Sequence, residues 1–345
     1  MKLADLRVED LAVIDESTAV VVGTKDGPED ADPDKLGPNG AIIDLTRGTS
    51  RPFTNGHTAR ICSVSAARGR VATASNNRDP VLRVWDLGAN RTVAAVEIEK
   101  PGDRVTHYGA AWFHESDRVA VAADTRVVVF DPARPGDRAE FACPPGSARW
   151  VEKPAVGPGD AWLACPADRA TVVFWEVATR KATAVSLLPK GADPDGSGWS
   201  VDAVRFGPKG ELFACRSSGS EDEVPENTAE KDVPADRRGV VRIDLPAGRV
   251  VPLGMGQTVY TLSCAADPTG TWLVTGGTSR LDRPGPDAKT GGELRVYRMP
   301  YGELVHREQP KDSLPLKWVS FTPGGKRVVA ATHDGVVRWW DAQAP

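Results

Sequence analysis

The sequence predicts an all-β fold, a seven-bladed β-propeller of four-stranded antiparallel blades in which residues 1–345 form one domain. Three observations predict it. An apolar, alternating pattern recurs at roughly 40–50-residue spacing, the period of a propeller blade. The 34 Gly and 28 Pro are spread over the whole length, as many short strands joined by tight turns require. Third-strand segments of the pattern number seven, centred near residues 43, 84, 129, 174, 242, 296 and 339.

Each copy reads as an apolar inner strand, a Pro/Gly turn, a second β-rich strand, a hairpin and a third strand ending in an aromatic residue and often Asp. In chain order the third strands are Ala41-Ile42-Ile43-Asp44, Val81-Leu82-Arg83-Val84-Trp85-Asp86, Val127-Val128-Val129-Phe130-Asp131, Val172-Val173-Phe174-Trp175-Glu176, Val240-Val241-Arg242-Ile243-Asp244, Leu294-Arg295-Val296-Tyr297 and Val336-Val337-Arg338-Trp339-Trp340-Asp341. Turns such as Gly207-Pro208-Lys209-Gly210 and Asp267-Pro268-Thr269-Gly270 precede second strands. The last copy is the clearest: Trp318-Val319-Ser320-Phe321 alternates, and Asp334-Gly335 is a strong hairpin signal. No fourth strand follows it, so residues 2–8 are expected to become the outer strand of the last blade, with the first inner strand over about 10–15.

In the second copy Gly56-His57 at the front and Trp85-Asp86 at the back resemble the WD-repeat signature. The resemblance, carried by this copy, the last one and the period, spans essentially the whole chain. It implies a buried structural tetrad of His57, Thr73, Asp79 and Trp85, and a scaffold role. In the last copy Asp334 and Trp340 match, Ala330 stands where Ser or Thr would be, and no Gly-His precedes.

Composition excludes several function classes. The chain is 40% hydrophobic and 26% charged with a net charge of −4, which gives no global attraction to nucleic acid or an acidic membrane surface. No apolar stretch reaches the ~18–20 residues of a membrane helix. The acids in Met1-Lys2-Leu3-Ala4-Asp5-Leu6-Arg7-Val8-Glu9-Asp10 do not fit a signal peptide. Five widely spaced cysteines without CxxC read as small buried hydrophobes, which fits the cytoplasm, and the Ala/Arg/Asp/Pro/Gly/Val-rich style suggests a bacterial source. Five histidines (57, 107, 114, 306 and 333) show no ligand spacing, and phosphate-loop and GxSxG motifs are absent. The expectation is therefore no catalytic residue, no metal and no cofactor. Glu152 and Asp202 read as scattered rim charge.

Binding is expected on one face. Three hairpins between second and third strands are long, at 26–39, 217–238 and 279–291, and all should lie at the end where inner strands begin. The first two are acidic, the second carrying Glu221, Asp222 and Glu223; the third carries Arg280 and Arg283. Trp150, Trp199 and Tyr260 precede or begin inner strands at that mouth, as do Arg60, His107 and Lys317, and interfaces favour Trp, Tyr and Arg. The reading is a monomeric, non-catalytic scaffold for a protein or peptide of basic character, with no nucleic-acid or membrane partner. The alternative is a propeller enzyme or small-ligand sensor with its site in the central channel.

Overall fold

The computed structural model describes residues 1–25, 27, 36–53, 56–76, 78–89, 91–98, 108–148, 150–168, 170–189, 191–192, 199–218, 239–257, 260–280, 290–309 and 314–342, apart from the side chains of Ser218, Arg280 and Thr290. Over these residues the chain is an all-β propeller of antiparallel meanders.

The first sheet holds β1 (Leu6–Val13), β2 (Thr18–Lys25), β3 (Pro38–Asp44) and β4 (Thr49–Pro52). The second holds β5 (Ser63–Ala67), β6 (Arg70–Ala74), β7 (Val81–Asp86) and β8 (Arg91–Glu97). The third is β9 (Ala110–Trp112), β10 (Val119–Ala123), β11 (Arg126–Asp131) and β12 (Arg134–Ala142). The fourth is β13 (Ala155–Val156), β14 (Trp162–Ala167), β15 (Thr171–Glu176) and β16 (Ala182–Ser186).

Two further meanders follow. One is β17 (Trp199–Phe206), β18 (Leu212–Ser218), β19 (Val240–Asp244) and β20 (Arg249–Met255); the other is β21 (Tyr260–Ala266), β22 (Trp272–Arg280), β23 (Thr290–Arg298) and β24 (Glu303–Glu308). The single pairing of Ser217 with Tyr260 joins them into one curled eight-stranded sheet. The last sheet has three strands, β25 (Leu316–Phe321), β26 (Arg327–Thr332) and β27 (Val337–Asp341). Six sheets among the described residues thus stand where the sequence reading expects seven blades, because of that one pairing.

Side chains alternate across a strand, so one face of each sheet packs on the preceding sheet and the other on the following one. Val20, Val22 and Ile42 meet Val64 and Val71 of the second sheet. Their neighbours Ala19, Val21 and Ile43 point the other way, onto Val329, Ala331 and Val337 of the last sheet. Comparable apolar layers join every consecutive pair between. Each buried Val contributes about 1.5–3 kcal/mol relative to exposure.

The chain's two ends meet, with one correction to the expected closure. Met1 and Val337 exchange backbone hydrogen bonds of 2.7 and 2.8 Å, the Leu3 N–H donates to Gly335 at 2.9 Å, and Lys2 lies opposite Val336. Only Met1–Leu3 take this place, however. Leu6 and Val8 are buried in alternation and extend the first inner strand upward, and the turn at Ala4 and Asp5 (φ 53°) separates the two segments.

Candidate functional site

With both sheet faces packed on neighbours, a regular inner strand sends few side chains to the ring axis. Irregularities in the ladder do so. A bulge adds one residue to a strand and re-aims it. The registers shift between Val8 and Asp10, Val201 and Ala203, Thr261 and Ser263, and Leu316 and Trp318. The inserted residues Glu9, Asp202, Leu262 and Lys317 all line one cup in the channel, with a volume of about 650 Å³. Trp150, Glu152, Lys153 and Arg60, from the segments that lead into β13 and β5, complete much of its wall.

The charges in the cup are unevenly matched. Glu9 pairs with Arg60 at 3.2 Å, and the His333 ring lies 3.8 Å away. Burial pushes the Glu9 carboxyl upward, but the nearby His333 ring and the charges of Arg60 and Lys317 outweigh it and hold it below the usual range. Asp10, 2% exposed, accepts the Val64 N–H at 2.7 Å and the Leu11 N–H at 2.9 Å, tying the first inner strand to the second. Lys153 spans the channel from the fourth sheet, its Nζ bonding Asp10 and, at 2.9 Å, the Val64 carbonyl. Its side chain is 26% exposed along the cup, yet enclosure of the ammonium lowers its pKa, followed by the opposing pull of Asp10 and the repulsion of Arg205.

Glu152 and Asp202 lack such partners: neither forms an ion pair among the described residues. Glu152 is open to water through the mouth but surrounded by protein on its other sides. That desolvation, and then the Asp202 charge, push its carboxyl up to about 7. Asp202 is raised to about 6 by burial, against hydrogen bonds from the Ser217 and Ser200 hydroxyls and the charge of Lys317. The cup therefore holds two carboxyls with raised pKa values, and its wall includes Trp150, which is 38% exposed. Lys317 lies 5.8 Å from the Trp318 ring on the same wall.

The sequence-predicted residues divide accordingly. Trp150, Arg60 and Lys317 do line the cup. Trp199 does not offer a contact ring: it is 7% exposed, packed in the layer between the fourth sheet and β17–β20, with the Arg216 guanidinium 5.5 Å over its ring. Tyr260 is half-buried at the start of β21, outside the cup. His107, Glu221, Asp222, Glu223 and Arg283 lie outside the described residues, as does the side chain of Arg280. The three long hairpins leave their sheets at the ends where inner strands begin, since Leu6 is opposite Lys25, Trp199 opposite Ser218 and Tyr260 opposite Thr278. Glu152 and Asp202 are not scattered rim charge but share one cavity. Sequence reasoning missed Glu9, Asp10, Lys153 and Trp318, because nothing in the alternation marks where a ladder will bulge.

Three members of the expected tetrad meet, and Arg83 stands beside them in place of the expected Trp85. His57 Nδ1 meets Asp79 Oδ2 at 2.7 Å, its Nε2 meets Thr73 Oγ1 at 3.1 Å, and the Thr58 N–H donates to Asp79 at 2.8 Å. Thr73 is paired with Arg83, whose guanidinium lies 3.6 Å from Asp79. Trp85 sits two residues further along, opposite Val71, stacked edge-on to Phe53 at 5.5 Å. Its buried indole N–H has no hydrogen-bond partner among the described residues. Burial lowers the His57 pKa despite Asp79.

Among the described residues there is no group of three or more His, Cys, Asp and Glu side chains placed to hold a metal ion. All five cysteines are free, and no helix among those residues is long and apolar enough to cross a membrane. The WD domain, G-beta repeat family model matches residues 308–341, the segment that contains β25–β27. No curated protein matches the chain. Among solved structures, a chain of hydrazine synthase from Kuenenia stuttgartiensis is similar, with a TM-score of 0.70 and 14% identity over 100% of this chain and 98% of that one. At that identity the likeness is one of fold.

Proposed function

The chain belongs to the WD40-type β-propellers, and from that premise we propose that it is a non-catalytic interaction module whose cup receives a basic side chain of a protein or peptide partner. The observation that carries the reading is the Glu152–Asp202 pair, two carboxyls that line one cup with no ion-pair partner among the described residues. An arriving ammonium or guanidinium would stabilise both in the ionised form and stack on Trp150, whose ring face attracts cations. Acidic hairpins at the same end would steer such a partner through long-range charge.

The rest of the reading is proposed with it. We take the eight-stranded sheet as two blades, since an apolar layer separates β17–β20 from β21–β24 as it separates the other sheets. On this reading the chain has seven blades in one domain over 1–345, and we propose that it acts as a monomer. The free cysteines suit a reducing cytoplasm. A second reading has a specific support: about 650 Å³ is the size of a small-ligand site, so a ligand sensor or an enzyme would use the same cup.

Affinity capture at low salt separates these readings, comparing the wild type with Glu152→Gln/Asp202→Asn. A protein retained by the wild type and lost from the folded double variant supports the module. Equal recovery from both contradicts it and makes a small-molecule screen of the cup the next test.

A further inference from the structure

Among the described residues, four carboxyls and four cations line the cup, and only half of them are matched to one another. Glu9 is paired with Arg60, and Asp10 with Lys153. Two carboxyls, Glu152 and Asp202, and two cations, Arg205 and Lys317, form no ion pair among the described residues. Lys317 is exposed, with its ammonium beside the Trp318 ring, and Arg205 gives one N–H to the Val204 carbonyl at 2.8 Å.

These four charges are separated around the ring and in depth. Glu152 precedes β13, and Asp202 is the bulge residue of β17. Lys317 is the bulge residue of β25, on the far side of β21, whose own inserted residue is Leu262. Arg205 lies three residues beyond Asp202 on β17, roughly 7–10 Å further from the mouth, where it repels the Lys153 ammonium. An anion between Arg205 and Lys317 would offset that repulsion, as a cation beside Glu152 and Asp202 would offset theirs. A ligand of one sign satisfies half of this set, and a zwitterionic one satisfies all of it.

We propose that the cup recognises the C-terminal residue of a polypeptide ending in Lys or Arg, its side-chain cation at Glu152 and Asp202 and its α-carboxylate at Lys317 and Arg205. This rests on the reading of the cup as a receptor for a basic side chain and adds the second charge that the partner carries. The apolar stem of the side chain lies on Leu262, as Lys and Arg stems lie along apolar surface. The carboxylate gains charge-assisted hydrogen bonds from the two cations. A cavity of about 650 Å³ is sized for one small group, which suits a chain end, whereas a segment passing through needs room for two flanking chains. A free basic amino acid carries the same two charges and is the other source of this chemistry.

The test measures fluorescence anisotropy at low salt with the peptide Gly-Ser-Gly-Ser-Lys, labelled with fluorescein at its N-terminus and free at its C-terminus. Its C-terminal amide and a version ending in Leu are the comparisons. The expected results are saturable binding of the Lys acid, with the amide and the Leu peptide each weaker by about tenfold or more. Lys317→Met, melting at the wild-type temperature, should weaken the acid by a similar factor and leave the amide unchanged or tighter. Acid and amide binding alike, in wild type or with the Lys317→Met ratio unaltered, overturns the carboxylate site while the basic side-chain reading stands. Lys and Leu peptides binding alike, or no peptide binding, overturns that reading as well. Displacement of the acid by free L-lysine at concentrations no higher than those of unlabelled peptide overturns the chain end as the source.

Discussion

Gly335→Ala acts where the ends of the chain meet. Gly335 holds φ +86°, a conformation that costs an L residue about 1–2 kcal/mol. A Cβ there would stand 2.5 Å from the Leu6 carbonyl oxygen and 3.1 Å from that of Leu3, both backbone atoms that cannot rotate aside. Relief requires the N-terminal segment to withdraw, which stretches the 2.9 Å bond from the Leu3 N–H to Gly335. Losing that bond costs about 1 kcal/mol, and partly uncovering Leu3, now 5% exposed, costs about 1 more. The expected loss is about 3–4 kcal/mol. Gly69→Ala is the control, since Gly69 has φ +72° with nothing within 4 Å and should lose only the backbone cost of about 1–2 kcal/mol. Urea unfolding followed by tryptophan fluorescence, with reversibility checked in both directions, reads the difference. Equal midpoint shifts in the two variants would refute the closing role of Met1–Leu3.

Two other outcomes are expected. His57→Ala should cost about 3 kcal/mol by leaving the Asp79 carboxylate buried without its imidazole, whereas Trp85→Phe should cost under about 1.5 kcal/mol because its N–H has no hydrogen-bond partner among the described residues; thermal melts giving the reverse order would put Trp85 back in the network. Glu152 and Asp202 bind protons in the folded state up to about 7 and 6, above their ordinary 4.5 and 3.8, so their contribution to stability falls as pH rises through that interval. His57, held below its ordinary 6.5, acts in the opposite direction, so the quantity to measure is the wild-type melting temperature minus that of Glu152→Gln/Asp202→Asn across pH. That difference should fall from acid to neutral pH; a rise would contradict the desolvated pair.

The blade pattern was legible because alternation and turn chemistry are local. The third strands centred on Ile43, Val84, Val129 and Phe174 all fall within β3, β7, β11 and β15. What sequence could not supply was register. Trp85 matches the signature by spacing, yet pairing puts Arg83 opposite Thr73, and the network forms with Arg83 instead. Glu9, Asp202 and Lys317 belong to the cup because a single inserted residue turns each toward the axis, which no alternation count reveals. Trp199 fails as a mouth residue for a related reason: at the start of β17 its ring falls on the face that packs against the fourth sheet.

The cup as a receptor for a basic side chain is tested most directly by placing the photo-cross-linking residue p-benzoylphenylalanine at Trp150 and mapping the attached peptide by mass spectrometry. The account predicts cross-links beside a Lys or Arg of one partner protein, abolished by adding Glu152→Gln and Asp202→Asn. Cross-links that persist without the two carboxyls, or that map to segments with no basic residue, would contradict it.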